Sequence, residues 1–479
     1  MPGCDLVLRG GLVLDGSGRA AARADMAIDG DTIIHIGDGT GWRGARDIAL
    51  HGRVLAPGFI DVHTHDDWAA ITTPGMACKI TQGVTTVICG NCGVSAAPSI
   101  PQPGLPAPFT ITPDVLRMGF ADVAAYAGAV GQAGPAVNVS LLAGHSTLRA
   151  GVMGCDLKRP ATAPEIAQMA EMLDRALSQG AIGLSSGLDY PAALAAPAEE
   201  LVALARVLKA HERAVYTTHM RDESDGVIAA VEEALDTARQ AGARLVISHH
   251  KCAGRANFGK SVRTLALIDA ARQTQPVAMD VYPYTASSSA LIRRFVPAAE
   301  DVLITWSDPH PGMAGRLLDD IARDWGCARE DAADRLHPAG AIYFDMDEGD
   351  LQRIMAHPAT MIGSDGLPGA GRPHPRLWGT FPRVLGRYVR ELRLLTLARA
   401  VHKMTGLPAR TFGLQDRGLL RPGYKADLVV FDPDRIADRA DYDHPERPGA
   451  GVNYVLVNGA IAVEQGRQTA ARAGRFLER

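Results

Sequence analysis

The stretch Gly58-Phe-Ile-Asp-Val-His63 is a short apolar run that ends in a histidine, and it begins the pattern that decides the fold. Seven more strand-like runs follow it, and several of the segments between them have helical patterning. The eight runs cover residues 58–63, 85–89, 137–144, 181–186, 214–219, 244–249, 277–282 and 360–365. No Gly-rich dinucleotide fingerprint accompanies them, so the alternation predicts an α/β fold of the (β/α)8 barrel type.

The helix between the third and fourth runs is predicted in most detail. Thr162-Ala-Pro-Glu165 has the form of a capping box with a proline early in the first turn, and both features favour a helix start. Four apolar residues follow at the spacing of one helical face: Ile166, Met169, Leu173 and Leu177. Gly180 comes just after them, so the segment is expected to form one amphipathic helix.

The two ends of the chain differ from its middle. Residues 5–57 and 426–464 contain short runs in which apolar and polar residues alternate between Gly and Asp turns, as is typical of β-strands. Asn458-Gly459 is predicted to form a hairpin turn, because both residues tolerate positive φ. Short strands are unstable alone, so the two ends are expected to pair into one small β-sandwich.

The predicted organisation is therefore a (β/α)8 TIM-like barrel with a small β-sandwich built from both chain ends. We place the sandwich at residues 1–57 plus 418–479 and the barrel at residues 58–417. Two segments break the alternation of strands and helices, the proline-rich stretch 98–113 and a long insertion at about 285–350. Both are predicted to lie over one end of the barrel as lids.

Composition and charge exclude several classes of function. The 479 residues are 47% hydrophobic and carry a formal net charge of −4, which lacks the positive field of a nucleic-acid-binding protein. No window approaches the roughly 18 apolar residues that cross a bilayer, so we expect a cytoplasmic protein without nucleic-acid or membrane partners. The seven cysteines form an odd, scattered set, which argues against a disulfide framework.

Polar side chains cluster at the carboxyl ends of the predicted strands, where barrel enzymes keep their chemistry. Five of them are residue types that bind zinc, namely His63, His65, Cys92, His219 and His249. We expect the two imidazoles of His63-Thr-His65 to share one face, because side chains alternate along a strand. Asp365 ends the last strand, and a carboxylate there can take a proton from water and return it to a leaving amine.

Each of these residues also has a structural interpretation. A single strand-end histidine is often only a hydrogen-bonded residue, and Asp365 could cap a turn. Cys89-Gly-Asn-Cys92 could be a redox pair or half of a zinc ribbon, but no second pair completes four thiolates, so only its second cysteine is assigned to the site. Adjacent side chains point to opposite sides of a strand, so only one of His249 and His250 can face the interior. Arg376 is either a surface charge or a clamp for a carboxylate.

Eight segments are more specific than any single residue: Gly58-Phe-Ile-Asp-Val-His-Thr-His-Asp-Asp, Gly90-Asn-Cys-Gly, Gly187-Leu-Asp-Tyr, Thr218-His-Met-Arg-Asp-Glu, Ile247-Ser-His-His-Lys, Tyr282-Pro-Tyr, Gly363-Ser-Asp-Gly and His374-Pro-Arg-Leu-Trp-Gly-Thr-Phe-Pro-Arg. Together with Gly423-Tyr-Lys-Ala-Asp-Leu near the carboxyl end, they resemble the N-acyl-D-amino-acid deacylases of the amidohydrolase superfamily. The resemblance implies a barrel plus β-sandwich that hydrolyses the amide bond of an N-acyl-D-amino acid, a small-molecule substrate, with zinc as cofactor.

The resemblance also implies a role for each site residue. One tightly bound Zn²⁺ would be held by Cys92, His219 and His249, and a second position, weak or empty, would be shaped by His63 and His65. Asp365 would be the catalytic acid and base, and Tyr190 would lie near the scissile carbonyl. The α-carboxylate of the substrate would be gripped by Lys251, Tyr282, Ser287 and Arg376. The resemblance favours His249 over His250 as the ligand.

The side-chain preference depends on Arg293 and Arg294, which follow the seventh strand on a loop expected to overhang the pocket. An arginine that faces the pocket would pair with an acidic side chain, so N-acyl-D-glutamate is slightly favoured over a hydrophobic substrate. Two alternatives are a cyclic-amide hydrolase of the dihydroorotase or hydantoinase kind and a non-catalytic amidohydrolase-like scaffold. The segments His374-Pro-Arg and Asn91-Cys-Gly favour the deacylase over the first alternative, and the complete ligand set favours an enzyme over the second. The sequence indicates no oligomeric state.

Overall fold

Parallel and mixed sheets both occur in the computed structural model of the chain, which describes residues 3–111, 118–369 and 371–478. In chain order the strands are β1 (Gly3–Val13), β2 (Ala22–Asp29), β3 (Thr32–Gly37), β4 (Arg43–Ala49), β5 (Val54–Pro57), β6 (Phe59–Asp61), β7 (Val84–Cys89), β8 (Asn138–Leu141), β9 (Ala143–Gly144), β10 (Gly183–Gly187), β11 (Val215–His219), β12 (Arg244–Ile247), β13 (Val277–Val281), β14 (Ser287–Ala290), β15 (Asp301–Ser307), β16 (Ala339–Phe344), β17 (Thr360–Ile362), β18 (Leu428–Phe431), β19 (Val452–Val457), β20 (Ala460–Glu464) and β21 (Arg467–Gln468). The α-helices are α1 (Ala69–Thr72), α2 (Ala77–Ile80), α3 (Val123–Ala133), α4 (His145–Met153), α5 (Ala163–Ser178), α6 (Ala198–Ala205), α7 (Val227–Ala241), α8 (Ser261–Ala271), α9 (Leu318–Trp325), α10 (Arg329–Leu336), α11 (Glu348–Ala356), α12 (Arg376–Arg383), α13 (Leu397–Met404) and α14 (Gly406–Phe412). Short 3₁₀ turns cover Arg206–Ala210, Arg255–Asn257, Arg293–Ala298 and Pro311–Met313, and α12 continues as a π-helical segment, Val384–Glu391.

Eight parallel strands close into a barrel in the middle of the chain. Their order follows the chain: β6, β7, β8 with its continuation β9, β10, β11, β12, β13 and β17. The ring closes where Thr64 and Gly366 pair in parallel, and the Asp365 N–H donates to the carbonyl of His63 at 2.7 Å. All eight predicted strands are present, so the predicted (β/α)8 barrel is confirmed.

Side chains of the barrel strands alternate between two cores, because successive residues of a strand point to opposite faces. Val215 and Val246 lie inside the barrel, whereas Tyr216 and Leu245 face the surrounding helices. Helix α14 fills the amino-terminal end of the barrel with three residues of the inner cluster: Leu407, Ala409 and Phe412. The polar ends of the strands at the opposite, carboxyl end are therefore free to form a site.

Strands from both chain ends form one sheet, as predicted. Its order is β21-β20-β19-β18-β5-β1-β2-β3, with β4 pairing to β1. Strand β18 joins the two ends, since it pairs antiparallel with both β5 and β19. Leu428 and Val430 pack inside the sandwich, and the alternate residues Val429 and Phe431 pack against the barrel layer. The predicted domain boundaries, near residues 57 and 418, stay predictions.

Two local predictions are confirmed. Asn458 and Gly459 have φ of 47° and 80° and connect the antiparallel strands β19 and β20. Helix α5 begins with the capping box, in which the Glu165 carboxylate accepts the Thr162 N–H at 2.7 Å.

The long insertion after β13 has a fold of its own. Strands β14, β15 and β16 form an antiparallel sheet, which packs with α9 and α10 around a separate apolar cluster. Ser287 on β14 and Tyr343 on β16 line the pocket at the carboxyl end of the barrel. In the proline-rich segment, residues 112 and 113 lie outside the described residues, so the predicted lid there is only partly covered.

All seven cysteines are free, as expected for a chain without a disulfide framework. Within residues 3–111, 118–369 and 371–478, no helix has both the length and the apolar character that a membrane span requires. The predicted cytoplasmic location stays a prediction.

Candidate metal centre

Three predicted zinc ligands meet at the carboxyl end of the barrel. Cys92 Sγ lies 3.4 Å from His249 Nε2, and His219 Nδ1 lies 3.0 Å from the same nitrogen. All three side chains are buried. His219 is the last residue of β11, whereas Cys92 and His249 lie on the loops that follow β7 and β12. The barrel therefore brings together residues that are up to 157 positions apart in the chain.

A second group of side chains lies beside the first and shares Cys92 with it. His63 Nε2 is 3.3 Å from Cys92 Sγ, and Asp365 Oδ1 is 3.5 Å from His63 Nε2 and 3.3 Å from His65 Nε2. In each group the possible ligand atoms all lie within 4.8 Å of one another. Cys92 is thus placed to contribute to both groups.

The donor set of both groups fits zinc. Imidazole nitrogens, a thiolate and a carboxylate are the usual zinc ligands, and ligand atoms that share a tetrahedral ion at 2.0–2.3 Å lie about 3.5 Å apart. The contacts of 3.0–3.4 Å around Cys92 and His249 are close to this spacing. Burial opposes ionisation of Cys92, but His63 and His249 lower the pKa of its thiol well below the ordinary value. The thiolate that a metal requires is therefore favoured.

Three residues of the site have left-handed backbone. The φ angles are 52° at Cys92, 34° at His249 and 49° at Asp365. This conformation is uncommon for residues other than glycine, costs of order 1–3 kcal/mol, and persists where the surroundings hold it in place. Around Cys92 the Asp67 carboxylate supplies such a restraint, since it accepts the N–H groups of Gly90 and Ala96 at 3.1 Å each.

The left-handed turn also explains which of two adjacent histidines enters the site. Strand β12 ends at Ile247, and the turn at His249 brings its ring beside Cys92. His250 lies away from this group, and its Nε2 is 2.8 Å from Thr264 Oγ1 on α8. The structure therefore places His249, and not His250, among the predicted ligands.

Two buried carboxylates that were not predicted from the sequence orient the histidines. Asp280 lies within 3.3 Å of His63 Nδ1, and Glu223 Oε1 lies 3.0 Å from His249 Nδ1. A carboxylate on Nδ1 keeps the proton there and leaves Nε2 free for a metal. The signal for Asp280 was present in the sequence, because a carboxylate inside the apolar run Val277–Val281 needs a buried partner.

Asp365 and Arg376 form a buried ion pair. Arg376 Nη2 is 2.9 Å from Asp365 Oδ2, and the guanidinium lies 4.5 Å from the ring centre of Tyr282. Burial opposes the charge on Asp365, but Arg376 and His63 lower the pKa of its carboxyl well below the ordinary value. Asp365 is therefore a carboxylate at neutral pH, as a general base must be at the start of a reaction.

The remaining predicted residues surround one pocket, with one exception. Its lining includes Tyr190, Lys251, Tyr282, Ser287 and Arg294 together with His219, His249 and Asp365. Tyr190 Oη is 3.0 Å from Ser289 Oγ, and Ser287 Oγ donates to Asp345 at 3.0 Å.

The exception is Arg293, which forms ion pairs with Asp331 and Asp334 on α10. Its side chain is 50% exposed and does not line the pocket. Arg294 lines the pocket and is paired with Asp189. Consecutive residues of the 3₁₀ turn thus face different ways, which periodicity in the sequence does not reveal.

Imidazoles, a thiol and a carboxylate at the carboxyl end of a (β/α)8 barrel define the class of metal-dependent barrel hydrolases. A family model described as the amidohydrolase family matches residues 46–293 and 313–463. The chain is 48% identical to a D-aminoacylase and 49% identical to an N-acyl-D-glutamate deacylase, both of Alcaligenes xylosoxydans xylosoxydans. These matches cover 99% of this chain and 98% and 96% of the relatives. The chain belongs to the amidohydrolase family, among its N-acyl-D-amino-acid deacylases.

Solved structures agree with this placement. An N-acyl-D-glutamate deacylase from Bordetella bronchiseptica, complexed with zinc and a phosphonate inhibitor, matches with 48% identity, a TM-score of 0.95 and full coverage of both chains. A D-aminoacylase structure that concerns a binuclear metal centre matches with 49% identity and a TM-score of 0.97, over 99% of this chain and 100% of that one. An L-hydantoinase from Arthrobacter aurescens, 17% identical with a TM-score of 0.61 over 99% of this chain and 100% of that one, shares the fold alone.

Proposed function

We propose that the chain hydrolyses the amide bond of N-acyl-D-amino acids in a zinc-dependent reaction that yields a carboxylate and a free D-amino acid. The observation that carries the proposal is the position of Asp365, a buried carboxylate in the ligand group that shares Cys92 with the group of His219 and His249. The relatives that match over almost the whole chain are a D-aminoacylase and an N-acyl-D-glutamate deacylase, which supports this activity. A cyclic-amide hydrolase has weaker support, since the hydantoinases share only the fold.

A bound zinc ion would supply Lewis acidity, which activates water and polarises the acyl carbonyl. Asp365 is ionised at neutral pH and so can accept the proton of the attacking water. When Asp365 passes this proton to the amide nitrogen, the C–N bond can break with its electron pair staying on nitrogen, so that the amine leaves as a neutral molecule. Arg376 holds the carboxylate in place during both transfers.

The substrate α-carboxylate is proposed to bind at Arg376 together with Lys251, Tyr282 and Ser287. Arg376 is almost fully buried, and its Nε and Nη1 have no hydrogen-bond partner among the described residues. A buried guanidinium with unsatisfied donors favours an anionic ligand, because the donors lose water without replacement. Fixing the carboxylate in one place restricts which face of the substrate meets the attacking water, and so contributes to selection of the D-configuration.

We propose one tight zinc position at Cys92, His219 and His249 and a weaker second position that includes His63 and His65. The second group also needs Asp365, the proposed proton carrier, which is already paired with Arg376. An ion there would compete for the catalytic carboxylate and slow turnover. The D-aminoacylase structure is described in the same terms, as one-metal activation and second-metal attenuation.

The proposed side-chain preference is for N-acyl-D-glutamate. Arg294 lines the pocket, where its guanidinium can pair with an acidic side chain of the substrate in place of Asp189. Phe295 and Ala298 line the same pocket and would suit an apolar side chain, which defines the competing substrate class.

The experiment that tests the function uses the purified chain with zinc added in increasing amounts. We expect hydrolysis of N-acetyl-D-glutamate and N-acetyl-D-leucine, none of their L-forms, and none of a hydantoin. Activity should rise to one equivalent of zinc and fall at higher concentration. Cys92→Ser should lose zinc to a chelator, whereas Cys155→Ser, which changes an exposed cysteine, should keep it. Hydrolysis of the hydantoin alone would replace the proposal with the cyclic-amide alternative.

A further inference from the structure

Glu223 is a buried carboxylate that contacts two different parts of the site. Its Oε1 lies 3.0 Å from His249 Nδ1, and its Oε2 lies 2.5 Å from Lys251 Nζ. The same Oε2 is 3.7 Å from His219 Nε2. One side chain therefore touches two predicted zinc ligands and one residue predicted to bind the substrate carboxylate.

The backbone around Glu223 holds it in this position. Its carbonyl accepts the N–H of Ala253 at 2.6 Å, which ties the loop after β11 to the loop after β12. The Asn257 amide strengthens this connection, since its Nδ2 donates to Asp225 Oδ1 at 3.0 Å and to the Ala253 carbonyl at 2.7 Å. The loop that carries Glu223 and the loop that carries His249 and Lys251 are thus one unit.

The donors around Glu223 need a shared acceptor. Lys251 Nζ lies 3.0 Å from His249 Nδ1, but an ammonium only donates hydrogen bonds. When Nδ1 carries a proton it cannot accept from Lys251, so the Glu223 carboxylate is the group that satisfies both. In this arrangement the lone pair of His249 Nε2 faces Cys92 Sγ at 3.4 Å.

Without the carboxylate the hydrogen bonding would reverse. Lys251 would donate directly to His249 Nδ1, and the imidazole proton would move to Nε2, the nitrogen that faces Cys92. A protonated Nε2 cannot bind a metal ion, and the Lys251 ammonium would be drawn towards the histidine and away from the substrate pocket.

We propose that Glu223 is a positioning residue that couples zinc retention to substrate recognition: it sets the tautomer of His249 and holds the Lys251 ammonium at the pocket wall. The inference rests on the proposed function only for the role of Lys251 towards the substrate. The role towards His249 depends on the geometry of the two loops alone.

The first test measures zinc retention of Glu223→Gln in the full chain by competition with a chelator. We expect zinc affinity to fall by about 10- to 100-fold, as for other groups that orient a ligating histidine. The KM for N-acetyl-D-glutamate, measured with one bound equivalent of zinc per chain, should rise as well. Glu232→Gln makes the same change at an exposed position of α7 and should alter neither quantity.

The second test uses Lys251→Met alone and in combination with Glu223→Gln. Lys251→Met should raise KM but keep zinc, since Glu223 still accepts from His249 Nδ1. In the double variant no ammonium competes for Nδ1, and the glutamine oxygen can accept its proton. We therefore expect the double variant to hold zinc at least fivefold more tightly than Glu223→Gln alone.

Two results would overturn the inference. One is zinc affinity of Glu223→Gln within twofold of the wild type, and the other is a double variant that binds zinc no better than Glu223→Gln. If circular dichroism shows that Glu223→Gln does not fold, Glu223→Asp provides the same comparison with the carboxylate withdrawn by one methylene. A wild-type chain that binds zinc but hydrolyses no N-acyl-D-amino acid would refute the proposed function, while the zinc measurements would still decide the role of Glu223.

Discussion

The chemistry at the residue scale depends on Asp365 being ionised beside His63 and His65. Arg376 achieves this by pairing with one carboxylate oxygen, which leaves the other oxygen near His63 and His65. The role of Asp365 as acid and base was predicted from its place at a strand end, whereas its pairing with Arg376 was not. The two residues are separated by a loop whose path the sequence pattern does not specify.

For Asp365→Asn we expect the zinc ion at Cys92, His219 and His249 to remain and kcat to fall by about 10²–10⁴-fold. The amide keeps the shape of the side chain but cannot accept a proton. Zinc content and steady-state kinetics of the same preparation check both parts. Activity close to that of the wild type would exclude the acid and base role.

A second residue-scale prediction concerns Lys403, a buried lysine on α13 that donates to the carbonyls of His357 and Thr360. Burial and the nearby Arg399 lower the pKa of Lys403 to about 7, whereas an unfolded lysine titrates near 10.4. Between these values the unfolded chain binds one more proton than the folded chain. Below pH 7 the buried Lys403 therefore lowers the free energy of unfolding. As the pH rises above 7, this free energy increases by up to about 1.4 kcal/mol per pH unit.

We expect the free energy of unfolding of the wild type to increase relative to Lys403→Met from about pH 7 to about pH 10. Denaturant unfolding of both proteins at several pH values measures this difference. Parallel pH profiles would show that the amine stays protonated in the folded chain.

At the scale of elements, the insertion after β13 supplies one wall of the pocket. In its 3₁₀ turn, the side chain of Arg293 pairs with Asp334 of α10, whereas the side chain of the adjacent Arg294 lines the pocket. The insertion as a whole was predicted from its length. The different orientations of the two arginines, however, follow from the tertiary positions of α10 and Asp189. The proposed preference for an acidic side chain therefore depends on this element.

We expect Arg294→Met to raise the KM for N-acetyl-D-glutamate by roughly 10- to 100-fold, because the substrate loses a hydrogen bond to a charged group. The KM for N-acetyl-D-leucine should change by less than about threefold. Arg293→Met is the matched control and should change neither. An equal effect of Arg294→Met on the KM of both substrates would mean that Arg294 does not bind the acidic side chain of the substrate.

At the scale of the whole molecule, a buried polar network joins the barrel to the sandwich. The Asp427 carboxylate accepts Asn138 Nδ2 of β8 at 2.9 Å and the Asn458 N–H of the β19–β20 turn at 2.7 Å, and it pairs with Arg417. Asp427 and Arg417 are both buried, so each charge would lack a counter-charge without the other.

Asp427→Ala should lower the free energy of unfolding by about 3–5 kcal/mol, since Arg417 would keep a buried charge without a carboxylate. Denaturant unfolding measures the loss, and Asp434→Ala at an exposed position should change stability by less than about 0.5 kcal/mol. A loss below about 1 kcal/mol for Asp427→Ala would show that water reaches Arg417.

The sequence by itself determined the strand order, the pairing of the two ends and the residue types at the strand ends, because these depend on periodicity and on turn residues. Tertiary structure alone decided how those side chains are oriented towards one another. The left-handed backbone at Cys92, His249 and Asp365 and the carboxylates of Glu223 and Asp280 are held by contacts between loops far apart in the chain. Local periodicity ends where a strand ends, and the orientation of the next side chain then depends on what the closed barrel packs beside it.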